Sequence, residues 1–224
     1  MTLYGATTRG LEESGVAPSN VTISGLALPP APHEYELGGR LALGGGWRLN
    51  GAAFEIEQPY FDVDRRDGAY RKLGTVTHRG VELSLSARPI DRLTIVTSAV
   101  LPRPRVAGQS VDDGRIGDRS IGRTNRLIDA SADYRLPWVP GLPIDSYMTC
   151  EGRRVANTAN SAFIPARFLI DIGARYRTSV RKVPTLLRAQ VRNLGDVFGW
   201  RIGSGGGFTL LQGRRATLAV TVDI

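Results

Sequence analysis

The chain has 224 residues, 42% hydrophobic and 22% charged, with 27 glycines, 13 prolines and a formal charge of +8 at a pI near 10.2. This composition excludes a disordered tail. The lone Cys150 excludes an intrachain disulfide or a thiolate metal cluster, and no run of about 18 apolar residues offers a transmembrane helix.

At the N-terminus, MTLYGATTRGLEE has neither the basic nor the apolar stretch of a signal peptide, which leaves water or a membrane crossed by strands. Gly and Pro then punctuate the chain at regular intervals, with Thr, Val, Leu and Arg between them, and this predicts strands rather than helices. Ten are expected: residues 2–11, 34–43, 47–57, 75–87, 93–106, 125–136, 144–154, 167–177, 185–197 and 215–224. Most run about ten to thirteen residues. A globular strand averages about five or six, whereas a tilted strand crossing a bilayer needs about 9 to 11.

Alternation within these segments is strong. Val81, Leu83, Leu85 and Ala87 alternate with Glu82, Ser84 and Ser86. Ile128, Ala130, Ala132 and Tyr134 alternate with Asp129, Ser131, Asp133 and Arg135. Leu187, Ala189 and Val191 face away from Arg188, Gln190 and Arg192, and the last segment repeats the pattern with Leu218, Val220, Val222 and Ile224. Around residues 51–56 the apolar parity changes partway, which predicts a bulge or a displaced strand. Tyr147 and Met148 fall on opposite faces.

The joins alternate too. Residues 44–46, 88–92, 137–143 and 179–184 read as short turns, while 12–33, 58–74, 107–124, 156–166 and 198–214 read as long loops. Short turns on one rim and long loops on the other predict an all-β, antiparallel transmembrane β-barrel with the long loops outside the cell. The chain then starts and ends on the periplasmic side. A soluble β-sandwich also alternates, but its apolar face should carry large residues throughout. Here that parity is light, rich in Ala, Gly and Thr, and the other bears an unusual load of charge that a hydrated lumen tolerates.

With this layout in hand, four stretches resemble TonB-dependent siderophore receptors in their C-terminal region. The first runs LYGATTRGLEESGVAPSN to ALPPAPHEYELGGR, with Leu28-Pro29-Pro30, Glu36, Gly38 and Arg40. The second is GTVTHRGVELSLSARP, with Gly74, Gly80 and Glu82. The third is AQVRNLGDVFGW, with Val191, Asn193, Leu194 and Asp196, and the fourth is the terminal RRATLAVTVDI. The resemblance implies a barrel of about 22 strands closed by an N-terminal plug, placed in the outer membrane of a Gram-negative bacterium. It implies that a ferric siderophore is bound outside the cell and imported with energy from the TonB complex.

Nothing here corresponds to the plug or to the box that TonB contacts, ten strands are fewer than such a barrel uses, and Ile224 stands where the family usually ends in an aromatic. The chain therefore reads as a truncated or split product of such a receptor. Two other readings stay open: a complete barrel of about ten strands acting as a passive pore or structural protein, or a soluble basic sandwich binding polyanions.

No catalytic set is expected. His33 and His78 are far apart, no Gly-x-Ser-x-Gly elbow accompanies them, and neither sits in a metal-ligand motif. Asp112-Asp113 lies in a Gly- and Arg-rich loop, and the glycine run at 203–207 lacks the Lys-Ser/Thr of a phosphate loop. The positive charge is nearly all arginine, with Lys72 and Lys182 the only lysines, and it is dispersed rather than gathered into a nucleic-acid arm. Arg123, Arg126, Arg153 and Arg154 are candidates to attract an anionic iron chelate, because a guanidinium fork engages oxygen anions better than an ammonium. Tyr60, Phe61 and Trp200 are their candidate aromatic partners. The competing reading is that these arginines line a hydrated lumen and pair with Asp and Glu. No cofactor or protein-bound metal is expected, since the chelator already surrounds the iron.

Overall fold

The structure, a computed structural model, describes residues 1–10, 17, 21–23, 32–64, 66–203 and 207–222. The Leu28-Pro29-Pro30 signal, residues 204–206 of the glycine run and the terminal Ile224 lie outside the described residues. In chain order the elements are β1 (Thr2–Arg9), β2 (His33–Gly44), β3 (Trp47–Val63), β4 (Tyr70–Ile90), β5 (Leu93–Ala107), α1 (Gln109–Asp112), β6 (Leu127–Arg135) and β7 (Pro143–Glu151). They continue with β8 (Arg154–Val155), β9 (Phe163–Ile164), β10 (Arg167–Val180), β11 (Val183–Arg192), β12 (Trp200–Ile202), β13 (Phe208–Leu210) and β14 (Arg215–Val222).

Ten of these form one antiparallel sheet in the order β1-β2-β3-β4-β5-β6-β7-β10-β11-β14. They correspond one for one to the ten strands expected from the sequence. The short pairs β8–β9 and β12–β13 lie within two of the long joins. Among the described residues no register joins β1 to β14, so the sheet is open and a closed ten-stranded barrel is not formed.

Register sorts every strand into two faces, because residues directly opposite one another share a face. One face carries Leu37 and Leu41, Leu49 and Ala53, Val81 to Leu85, Ile95 to Leu101, and Ile128 and Ala132. It continues through Ile144 and Met148, Ile170 and Ile172, Leu187 and Val191, and Leu218 and Val220. Charge is absent from these stretches on that parity. The opposite parity carries Glu36, Arg40, Glu82, Asp129, Asp133, Asp145, Arg175 and Arg188.

Among the described residues no second layer covers the apolar face. Leu218 is 84% exposed, Val220 65% and Leu83 52%, which removes the soluble sandwich: an apolar surface of this extent is stable only against hydrocarbon or a partner. From Leu93 to Leu101 is about eight steps of about 3.3 Å, or about 26 Å along the strand. A tilt of about 40° shortens this to about 20 Å, close to the apolar band of an outer-membrane barrel.

The expected bulge at residues 51–56 is not there. Pairing of β3 with β4 is unbroken from Arg48 to Tyr60, and the register shift falls at Tyr60/Phe61. The parity changes because the strand leaves the band. Within it Leu49 and Ala53 point outward; above it Glu55 takes the outward parity and Phe54 and Ile56 the inner one. Glu55 lies opposite Arg79 and accepts its Nε–H at 2.8 Å and an Nη2–H at 3.2 Å. A charged pair on this face marks where hydrocarbon ends.

A second difference follows from the first. Residues 58–74 were expected to be a loop, yet β3 and β4 run on as a hairpin to Val63 and Tyr70, with β5 alongside to Ala107. These extensions stay ordered because they build a small core of their own. Leu73, Val76, Val106 and Ile116 are buried together, with Tyr60 and Val111 against them. Arg71 and Arg115 reach the buried Asp64 at 3.7 and 3.4 Å.

Candidate functional site at the long-loop end

The long joins above β6 and β7 are tied to each other by backbone. Gly152 N–H donates to the Arg126 carbonyl at 2.7 Å, Gly122 N–H donates to the Val155 carbonyl at 2.9 Å, and Thr124 bridges Arg154. The chain entering β6 therefore runs antiparallel to the chain leaving β7. This brings the four arginines onto one pair of joins, with Arg126 and Arg154 on one side of the ladder and Arg123 and Arg153 on the other.

Trp200, on the last join, is tied to Arg167 at the start of β10. Its carbonyl accepts an Nη1–H of Arg167 at 2.9 Å, and a Cβ at Gly122 would stand 3.8 Å from Ile202. The Trp200 ring meets Phe198 and Phe208 edge-on, at centroid distances of 6.3 and 6.4 Å. Tyr60 and Phe61 are placed differently. Both belong to the β3 extension rather than a loop, and both are half-buried. Tyr60 packs on the small core and donates its hydroxyl to Asp62 at 2.8 Å. Burial, then the Asp62 charge, raises its pKa far above the ordinary phenol value. Phe61 stacks on Tyr70 at 6.2 Å.

The four arginines are not equivalent. Arg154 pairs with Glu151 at 2.9 Å, and Arg167 pairs with the same carboxylate, all three side chains being largely buried. This one charge holds two guanidiniums, one from each side of the join. Arg123, Arg126 and Arg153 have no carboxylate within 4 Å among the described residues, and all three are exposed. Arg153 instead lies over the Phe163 ring, 4.0 Å from its centroid.

Arg123 also edges a groove of about 430 Å³ on the charged face, lined by Thr8, Glu34, Phe54, Ile56, His78 and Pro102. His78 lies on β4 above the Arg79 level, outside the stretch that crosses the apolar band. Burial, and secondarily the charge of Arg123, holds its imidazole below the usual histidine range. At neutral pH it is an uncharged donor and acceptor beside an unneutralised guanidinium. Chemically the set offers guanidiniums without carboxylate partners among the described residues and an imidazole that both donates and accepts hydrogen bonds.

Three contributors escaped sequence reasoning. Glu151 was legible as a charged strand end, but nothing in the sequence pairs it with Arg167. His78 carries no motif. Asn193, which the sequence marked only by resemblance, is buried and sits at φ 49°, a left-handed conformation that Asn tolerates. Its carboxamide donates to the Val197 and Gln212 carbonyls at 3.0 Å each and accepts the Val197 N–H at 2.8 Å. Its own N–H donates to Asp171 at 2.8 Å, and the Asp196 carboxylate accepts the Arg214 N–H at 2.8 Å. The Asn-Leu-Gly-Asp string is thus a clasp on the loop that presents Trp200.

Comparison with known proteins agrees with this architecture. Residues 6–194 match the family described as TonB dependent receptor-like, beta-barrel. The ferrichrome receptor FcuA of Yersinia enterocolitica is 26% identical over 174 residues, which are 77% of this chain and 23% of that protein. The fold resembles that of BauA, the ferric preacinetobactin receptor of Acinetobacter baumannii, with a TM-score of 0.80 and 23% identity over 99% of this chain and 34% of that one. It also resembles FyuA, the ferric yersiniabactin uptake receptor of Yersinia pestis, with a TM-score of 0.75 and 18% identity over 99% of this chain and 35% of that one. The chain spans about a quarter to a third of the length of these relatives.

Proposed function

The chain belongs to the TonB dependent receptor-like β-barrel family of the outer membrane, and on that premise we propose that its sheet is the C-terminal part of the wall of a ferric-siderophore receptor. The apolar parity meets lipid, the charged parity lines the lumen, and the long-loop end faces the outside of the cell. The free edges of β1 and β14 present unpaired N–H and C=O groups, which hydrocarbon does not satisfy. Further strands of the same barrel would pair with them.

The observation that supports a ligand role is that Arg123, Arg126 and Arg153 lie on one pair of joins at the long-loop end without carboxylate partners among the described residues, Arg123 edging the His78 groove. An iron chelate of net negative charge displays oxygen atoms that guanidiniums engage bidentately. Aromatic edges at the same site add contact area and a cation–π frame for Arg153. The chelator keeps the iron, so the protein supplies charge and shape rather than metal ligands. Arg154 is occupied by Glu151, and its part is to position the join. Transport would draw on the TonB complex, acting through a plug that such walls surround.

The test is a titration of the complete receptor with an anionic ferric chelate, followed by tryptophan quenching. Arg123→Gln/Arg153→Gln is expected to weaken binding by tenfold or more. Unchanged affinity would end the ligand role of these arginines.

A further inference from the structure

The dispersion of arginine along the sequence conceals a strong asymmetry in space. The four short turns all lie at one end of the sheet. The turn from β2 to β3 carries Arg48; that from β4 to β5 carries Arg88 and Arg92 against Asp91. The turn from β6 to β7 carries Arg135, and that from β10 to β11 carries Arg177, Arg181 and Lys182. Seven bases stand against one carboxylate; Arg48, Arg135 and Arg177 take the charged, inward parity, Arg135 and Arg177 lining a cavity on that side, while Arg92, Arg181 and Lys182 stand at the turn tips. All seven are exposed, and among the described residues none makes an ion pair.

Two further observations indicate what this collar meets. The same rim carries Trp47, Tyr134, Trp138 and Tyr176, and Trp138 is 72% exposed. Trp and Tyr at the edge of an apolar band occupy the headgroup layer of a bilayer. The tip of the β10–β11 turn is Arg181-Lys182, with φ of 50° and 71° at the two positions. A two-residue hairpin with both φ positive is satisfied most cheaply by Asn-Gly, and the β2–β3 turn uses Gly45-Gly46 for this. Two long cations in its place serve charge rather than turn geometry.

We infer that the short-turn rim is a binding collar for anionic phospholipid headgroups of the adjoining leaflet, with Arg92, Arg181 and Lys182 on the phosphates and Trp47 and Trp138 anchored beside them. The band ends where the collar begins, so the headgroups necessarily lie at this height, and clustered Lys and Arg at a membrane surface attract anionic lipid. Long side chains reach the phosphate layer while their stems cover apolar surface.

The complete receptor, with every tryptophan except Trp47 and Trp138 replaced by Phe so that emission comes from these two, is reconstituted into phosphatidylcholine vesicles. These contain brominated phosphatidylglycerol or brominated phosphatidylcholine at equal mole fraction. At low salt the phosphatidylglycerol is expected to quench two- to fivefold more strongly. The preference should collapse at about 1 M NaCl, where the screening length is about 3 Å. Arg92→Gln/Arg181→Gln/Lys182→Gln should abolish it. Equal quenching by the two lipids in the unsubstituted collar overturns the inference, and that comparison does not depend on any collar variant folding. Selectivity that survives the triple replacement also overturns it. So does equal lipid quenching accompanied by binding of labelled poly-glutamate, which would assign the collar to an acidic polypeptide.

Discussion

The carboxamide of Asn193 donates a 3.0 Å hydrogen bond to the carbonyl of Gln212, nineteen residues further along the chain. One side chain thereby closes the join that carries Trp200. Replacing it by Ala strands the Val197 N–H and the Val197 and Gln212 carbonyls; a group left unsatisfied away from water costs about 1–3 kcal/mol, and less here because Val197 is half-buried and Gln212 exposed. Asn193→Ala is expected to speed amide exchange at Val197 and to expose residues 198–213 to limited proteolysis. Asn193→Gly, which keeps the left-handed backbone but not the bonds, should behave nearly as badly. If Gly restores protection, the backbone conformation is the cause instead.

Leu83 and Ser84 are neighbours on opposite faces of β4, within the apolar band. An arginine on the lipid face near mid-membrane costs about 2–4 kcal/mol. In the complete receptor, Leu83→Arg is therefore expected to impair insertion into vesicles, read by heat-modifiable migration and by protease protection. Ser84→Arg loses only the 3.0 Å bond from Asn50 and should insert like the parent. The reverse ranking would invert the assignment of the faces.

Glu151 neutralises both Arg154 and Arg167. Breaking a buried ion pair by removing one partner commonly costs about 3–5 kcal/mol, and the partial exposure here lowers that figure. Glu151→Gln should loosen the join at Gly152 and free the Trp200 carbonyl from Arg167. Faster amide exchange at Gly152 and Gly122 checks this, as does a red shift of Trp200 emission. Arg154→Gln leaves the Arg167 pair intact and is expected to be milder.

His78 binds its proton less readily than a solvated histidine, chiefly through burial and secondarily through Arg123. Because the folded-state value is depressed, the native groove is most stable above the ordinary pKa of about 6.5. It loses that advantage as pH falls through the window between 6.5 and the lower folded value. An imidazole NMR titration should place His78 below 6.5. Arg123→Gln should raise it without restoring it fully, since burial remains. A value unmoved by this change would separate Arg123 from the groove.

Much of this protein is written in local pattern. Ten strands, their approximate limits, the two faces of Ile128–Arg135 and of Leu187–Arg192, and the rim of each turn follow from a period of two and from Gly and Pro punctuation. Those are properties of neighbouring residues, and lipid imposes them on each strand separately. The β3–β4 extension was less legible, because residues 58–74 are stabilised by Ile116 and Val106 rather than by their own alternation.

Which loops meet was decided only by the tertiary structure. No spacing in the sequence says that Arg126 lies beside Gly152, that Glu151 serves Arg167, or that Arg92 and Lys182, in turns far apart along the chain, share one rim. The physical reason is that pairing in a meandering sheet brings together residues tens of positions apart. Charges then act through distances in space, while sequence pattern records only distance along the chain.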